Sequence, residues 1–481
     1  MRIRARWTAL CLGLLLFAAV PVFSAENSAA FARETANPTG LDRYVYAPDA
    51  HYAYALHRTD TYDGGKIYVL DLTSQAWRTE SEVDRPVWKH WLMVVVPDQP
   101  AHETALLLIS GGGNNRPAPN APDPMVLHVA RTTNCVAAAL HQVPNQPLRF
   151  ADEERNRSED ATIAYTWDRY MRTGDETWPL RMPMTKAAVR AMDAIQSFCA
   201  GEEGGGVTVR DFIVAGGSKR GWTTWTTAIV DNRVIAIVPA VIDLLNLIPS
   251  FRHHYAMYGE WAPAINDYAH MKIMDWMETP EFAALMRLVE PYSYRDRLTM
   301  PKLIMNGTQD EFFCPDSSLF YIDDLKGPTY LRYVPNVGHA LLPSDAPLSL
   351  LTFFRAIVEG KALPTYAWSF PDGNTTRVTT PDTPVAVKLW QGTNPEARDF
   401  RTYKILGTAY TETLLEKEAD GSYVGRVETP EKGWTAFFVE LTFDAGDGFH
   451  HKFTTPVRFT PNTYPHEYVP TPDPPKGFLS R

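Results

Sequence analysis

Cysteine is scarce in this chain: four in 481 residues, with Cys11 inside an N-terminal apolar run. That excludes a disulfide-built scaffold, which packs many cysteines into a short chain. Cys135, Cys199 and Cys314 remain; they allow at most one bridge and one free thiol, and their spacing does not choose the pair. Metal signatures are missing too. No HExxH or CxxC occurs, and His253-His254 and His450-His451 are adjacent pairs rather than spaced ligands, so neither a metal nor another cofactor is implied. Positive charge is in deficit, 46 Lys and Arg against 56 Asp and Glu, for a formal net charge of −10. Such an acidic surface argues against nucleic acid or an anionic membrane as partner. Beyond the N-terminus no apolar stretch nears the ~18 residues that span a bilayer. Internal repeats and low-complexity tracts are absent as well.

What is present describes an ordinary soluble globular chain, 45% hydrophobic and 12% aromatic. Its length calls for two or three domains. Arg2, Arg4 and Arg6 precede an apolar stretch from Ala9 to Val22, and Ser24 and Ala25 follow. That is the layout of a secretory signal peptide over residues 1–24, cleaved after Ser24 or Ala25, leaving no lasting membrane anchor. Its removal takes three arginines and no acid, moving the net charge from −10 to −13. Residues 25–40 are small and polar and read as a flexible lead-in.

From Tyr44 to Val96 strand signals dominate. Tyr52–Leu56 and Lys66–Leu70 flank Asp63-Gly64-Gly65, a hairpin signature. The pattern then changes to short, mostly apolar runs (Ala105–Ile109, Val136–Leu140, Phe212–Ala215, Val234–Val238, Leu303–Met305 and Tyr330–Val334), as in a parallel sheet covered on both faces. Helical periods separate them, one expected to start at an N-cap Thr185 and one over Pro343–Ile357. An α/β domain over 41–362 follows, its sheet doubly wound and mostly parallel, with insertions at about 141–183 and 245–298 read as lid and cap. After Pro364 short runs separated by turn residues, among them Val385–Leu389, Tyr403–Leu406 and Thr435–Phe443, predict an immunoglobulin- or fibronectin-like β-sandwich over 363–481.

Chemistry concentrates at Gly216-Gly217-Ser218-Lys219-Arg220-Gly221-Trp222, between a buried strand and a helix. A strand, a sharp turn through serine and a helix make the elbow that presents a nucleophile. The usual spacing is G-x-S-x-G; here it is G-x-S-x-x-G, with Arg220 where the second glycine normally sits. Such a serine needs a base and an acid that orients the base, and in an α/β hydrolase they follow in the order Ser, Asp or Glu, His. Asp310 stands just past Leu303–Met305, with Glu311 as fallback acid, and His339 just past Tyr330–Val334. The oxyanion would take the backbone N–H of Lys219 and an amide of the glycine loop at Gly112 and Gly113. Lys219 and Arg220 either bind substrate or pair with acids of the lid. Glu153 and Glu154 are candidate anchors for a substrate amine, with a solvated acidic face as the commoner outcome. Arg220 is the candidate cation for a sugar acid, and Trp222 a candidate substrate contact.

On these residues the chain resembles the PhoPQ-activated pathogenicity-related protein family, related to secreted autocrine proliferation repressors. The resemblance rests on the elbow, on Arg157-Ser158-Glu159-Asp160 through Ala164-Tyr165-Thr166-Trp167, on Asn306-Gly307-Thr308-Gln309-Asp310 and on Gly338-His339. It implies an α/β-hydrolase fold, secretion and a serine hydrolase, sometimes likened to dipeptidyl-peptidases. The G-x-S-x-x-G spacing also resembles glucuronoyl esterases. Small-molecule, peptide and carbohydrate-ester substrates all remain open. The C-terminal sandwich carries no second nucleophile and base. It is expected to be non-catalytic, packing on the hydrolase domain or presenting Trp390 and Trp434 to a partner.

Overall fold

The computed structural model describes residues 28–480, so the signal peptide read over 1–24 lies outside them. Nine strands build the first part: β1 (Ala53–Tyr62), β2 (Gly65–Ala76), β3 (Val87–Pro97), β4 (Thr104–Ile109), β5 (Ala137–Leu140), β6 (Asp211–Gly217), β7 (Val234–Ala240), β8 (Lys302–Gly307) and β9 (Thr329–Val334). They lie side by side in the order β1-β2-β3-β5-β4-β6-β7-β8-β9. The pairs from β5 through β9 are parallel, and the first three strands add antiparallel. Successive side chains point to opposite faces of a strand. Accordingly Phe212 and Val214 of β6 enter one apolar core while Ile213 and Ala215 enter a second on the other face. Helices cover both faces: α1 (Gly40–Tyr46), α2 (Pro124–Thr133), α3 (Glu159–Thr173), α4 (Arg181–Ala200), α5 (Lys219–Val230), α6 (Leu247–Tyr258), α7 (Asn266–His270), α8 (Pro280–Val289) and α9 (Ala346–Val358). This is the doubly wound α/β sheet that the apolar runs predict, in the α/β-hydrolase form that the family resemblance implies.

Local signals explain some helix starts. Thr39 and Asp42 form a reciprocal capping box at α1, and Asp123 caps α2 ahead of Pro124. α4 differs from expectation. It begins at Arg181, and Thr185 lies inside it, its hydroxyl donating to the Arg181 carbonyl instead of capping an end. The lead-in is docked from Phe31 to Arg33: Arg33 N–H donates to the Val230 carbonyl, and Arg233 lies 4.3 Å over the Phe31 ring. Cys135, Cys199 and Cys314 are all free and buried.

The C-terminal strands are β10 (Ala367–Asp372), β11 (Thr375–Thr379), β12 (Ala386–Asn394), β13 (Thr411–Leu414), β14 (Tyr423–Arg426), β15 (Trp434–Gly446), β16 (Phe449–Thr454) and β17 (Arg458–Thr460). β10, β11 and β14 form a small sheet. The others continue the central sheet, because β16 joins β9 through Thr454 and Leu331. At that seam buried Arg332 of β9 reaches Glu440 of β15 and, at 2.8 Å, Asp345. The strand expected over Tyr403–Leu406 is a turn. Trp390 and Trp434 are half-buried against the core rather than displayed.

Candidate active site

The elbow forms where β6 runs out and α5 begins, with Ser218 at φ 57° and ψ −125°. That backbone state is costly for a residue with a side chain and persists where the surroundings impose it. The glycines show what imposes it. A Cβ on Gly216 would stand 2.7 Å from the Arg220 carbonyl oxygen, and one on Gly221 would stand 2.9 Å from that of Ala240. Strand β6, helix α5 and strand β7 therefore touch through bare backbone. The second glycine of the motif does its work at 221 rather than 220, and the Arg220 side chain leans instead over Gly111, where an added Cβ would lie 2.5 Å from its guanidinium.

Parallel pairing of Ile109 with Gly216 sets the 110–113 loop beside the elbow. Gln142 holds that loop by donating its backbone N–H to the Gly111 carbonyl at 2.9 Å and its amide to the Gly113 carbonyl at 3.2 Å. Gly112 sits at φ 131°. Lys219 opens α5, so its N–H belongs to the first turn, which has no carbonyl of its own helix to meet.

Asp310 and His339 arrive on the loops after β8 and β9. Asp310 is buried; its Oδ2 lies 2.8 Å from His339 Nδ1, and its Oδ1 accepts the N–H groups of Phe312 and Phe313 at 2.7 and 3.3 Å. A carboxylate on Nδ1 selects the tautomer that leaves Nε2 free to accept a proton. Glu311 has a different task. Its Oε2 accepts the backbone N–H of His339 at 2.8 Å, so it holds the loop and not the ring. The Phe312 ring centroid is 4.2 Å from that of His339. In this structure no hydrogen bond joins the Ser218 hydroxyl to the His339 ring.

Ser218 lines a cavity of about 30 Å³ walled by Trp167, Trp222, Phe251, Ile265, Phe312 and Phe313. Its charged end is self-paired. Lys219 Nζ stands 2.9 Å from Glu159 Oε2 and 3.1 Å from Asp160 Oδ2. Arg220 gives one N–H to Glu159 Oε1 at 2.7 Å and another to the Val143 carbonyl at 2.5 Å. Tyr268 donates to Asp160, and Arg181 to the Lys219 carbonyl, each at 2.9 Å. Burial by itself would raise the Glu159 carboxyl, but Arg220 and Lys219 beside it hold it down to about 2. Trp222 is buried in the cavity wall and donates its ring N–H to the Val289 carbonyl at 2.8 Å. Glu153 and Glu154 are not in the cavity. They border a surface groove with Glu80 and Asp84, and Glu153 is engaged by Arg157. The acids that reach the elbow are Glu159 and Asp160 instead.

Behind the site, past β7, lies Asp243, accepting from Tyr321 at 2.6 Å and Tyr333 at 2.5 Å. Burial pushes its carboxyl up to about 7 in spite of both hydroxyls, with Asp310 and Asp316 adding to the rise. A folded-state value above the unfolded one means that the native protein holds the extra proton. Its stabilising contribution is complete below about pH 4 and is lost as pH rises through 7. Asp243→Asn is expected to flatten that fall, read as urea midpoints between pH 5 and 8; an unchanged slope would assign it elsewhere.

With this geometry, comparison with other proteins is decisive at the family level. Residues 41–401 match the family described as PhoPQ-activated pathogenicity-related protein. The chain belongs to this family. A family-level relative, autocrine proliferation repressor protein A of Dictyostelium discoideum, is 37% identical over 455 residues, covering 89% of this chain and 91% of that protein. Among solved structures, acetyl xylan esterase 1 from Thermoanaerobacterium sp. JW/SL YS485 is similar over 69% of this chain and 98% of its own, at 13% identity and a TM-score of 0.47. Pyrococcus horikoshii acylaminoacyl peptidase is similar over 65% of this chain and 50% of its own, at 12% identity and a TM-score of 0.39.

Proposed function

We propose that this family member is an exported serine hydrolase that cleaves esters of small, uncharged acyl groups through an acyl-serine intermediate. The observation that carries the reading is Ser218, a non-glycine residue held at φ 57° at the head of a helix, facing a cavity. The loops after β8 and β9 supply the paired Asp310 and His339. Ser218 Oγ attacks the carbonyl carbon as its proton passes to His339 Nε2, with Asp310 holding the imidazolium. The oxyanion takes the Lys219 N–H and an amide of the 112–113 loop. The tetrahedral adduct expels the alcohol, protonated by His339, and water then attacks the acyl-serine by the same route.

The acyl preference follows from size and charge. A cavity of about 30 Å³ with aromatic walls suits a methyl or ethyl group. Glu159 and Asp160 already bind Lys219, leaving neither to anchor a substrate amine, and Arg220 is spent on Glu159 and Val143 rather than on a sugar carboxylate. The N-terminal leader pattern supports export, and the relative's name as an autocrine repressor agrees with a place outside the cell or in the periplasm.

A panel of p-nitrophenyl acetate, butyrate and octanoate, dipeptidyl amides and uronate methyl esters on mature protein tests this. The acetate is expected to lead, with kcat/KM at least about tenfold lower for the octanoate, since a chain that the pocket cannot hold forfeits its binding. Turnover of the dipeptidyl amides alone would replace the reading with an aminopeptidase. The missing Ser218–His339 hydrogen bond and the relative's name favour one rival, a hydrolase-like protein that only binds. Unliganded sites often tighten such bonds only around substrate. A mature protein that a fluorophosphonate leaves unlabelled would decide for binding.

A further inference from the structure

The turn at 398–410, in the C-terminal β region, touches the two loops that carry Asp310 and His339. Thr402 N–H donates to the Gln309 carbonyl at 3.1 Å, and the Gln309 amide donates to the Ile405 carbonyl at 3.2 Å. Both bonds are made at Gln309, the residue before Asp310. On the histidine loop, Asn336 Oδ1 accepts the N–H groups of Ala409 and Tyr410 at 2.9 and 2.8 Å, and its Nδ2 donates to the Tyr410 carbonyl at 2.9 Å. Between the two loops, the Thr402 hydroxyl donates to Glu311 Oε1 while Glu311 Oε2 accepts the His339 N–H. There is no slack at this point: a Cβ on Gly338 would lie 2.6 Å from Glu311 Oε1 and 2.9 Å from Thr402 Cγ2. The same turn also holds the cap. Arg398 donates to Asp316 at 2.8 Å, Asp316 pairs at 2.7 Å with His253 of α6, and Arg401 lies 3.9 Å over the ring of Tyr258 of α6.

We propose that Thr402 is a positioning residue for His339, acting through Glu311, so that the C-terminal region completes the active site. This rests on the serine-hydrolase reading above. It also revises the sequence-based expectation that the C-terminal domain takes no part in catalysis. Thr402 touches no reacting atom; its hydroxyl fixes one carboxylate oxygen of Glu311, which points the other at the His339 amide. The imidazole is thereby set by two neighbouring acids, Asp310 on the ring and Glu311 on the backbone.

The test is a double-mutant cycle in full-length mature protein on p-nitrophenyl acetate. Thr402→Val, which keeps the shape and drops the hydroxyl, is expected to lower kcat about tenfold, the scale of one hydrogen bond to a charged group. KM should stay within about twofold, since uniform binding is untouched, and Thr402→Ser should restore kcat. In a Glu311→Ala background the valine substitution should cost nothing further, because the two act in series. Wild-type kcat for Thr402→Val, failure of serine to rescue, or effects that multiply would each overturn the inference. Should the valine variant fold poorly, Glu311→Ala alone must lower kcat at unchanged KM, and wild-type kcat there overturns it equally. Full activity of Thr402→Val beside an inactive Ser218→Ala defeats this inference alone; full activity of Ser218→Ala defeats the hydrolase reading beneath it.

Discussion

Ser218→Ala is expected to lower turnover of p-nitrophenyl acetate by about 10⁴–10⁶-fold and to abolish fluorophosphonate labelling. The size of the effect follows from the division of labour at the elbow. With the hydroxyl gone, the Lys219 N–H and the glycine loop still polarise a carbonyl, but only bulk water can attack it, so the two-step route through an acyl-serine is closed. Alanine is also a clean probe. Position 218 already carries a Cβ at φ 57°, so the substitution adds no backbone strain. Unfolding midpoints should stay near wild type, and labelling that survives would place the nucleophile elsewhere.

Asp310→Asn is expected to cost about 10⁴-fold in kcat with the fold intact. The surroundings of Asp310 dictate how the amide would sit. Oδ1 receives the N–H groups of Phe312 and Phe313, so in the variant the amide oxygen must stay on that side. The NH2 then takes the place of Oδ2, 2.8 Å from His339 Nδ1, and donates where the carboxylate accepted. That forces the proton onto Nε2 and leaves the imidazole unable to take the serine proton. A loss under about tenfold, with Glu311→Gln costing more, would transfer the role of the orienting acid to Glu311.

What the sequence disclosed and what it concealed divide along physical lines. The apolar runs of β4 through β9 were legible because a strand buried on both faces has few polar positions to confuse its pattern. Asp310 and His339 were legible as a pair because each follows such a run, and the structure brings them into contact. Thr185 misled because a threonine near a helix start reads the same whether its hydroxyl caps the end or bonds back to the carbonyl four residues earlier. Tyr403–Leu406 misled more deeply. Its aromatic and aliphatic residues resemble a short strand, yet the backbone there spends its hydrogen bonds on Gln309 and on its own turn rather than on a neighbouring strand. Glu153-Glu154 and Glu159-Asp160 are equivalent acidic pairs in sequence. Only the path of α3 brings the second of them to Lys219 while Arg157 retains Glu153.

The seam between β9 and β16 bears on how this molecule comes into being. Synthesis delivers Ser218, Asp310 and His339 well before Thr402, Tyr410 and the strands that extend the sheet past β9. Until those later residues emerge, β9 is an unpaired edge and the histidine loop lacks its outer support. Domains generally mature in the order in which they leave the ribosome, and exposed edges invite aggregation. The two loops after β8 and β9 thus take their final support from residues that are among the last to be made.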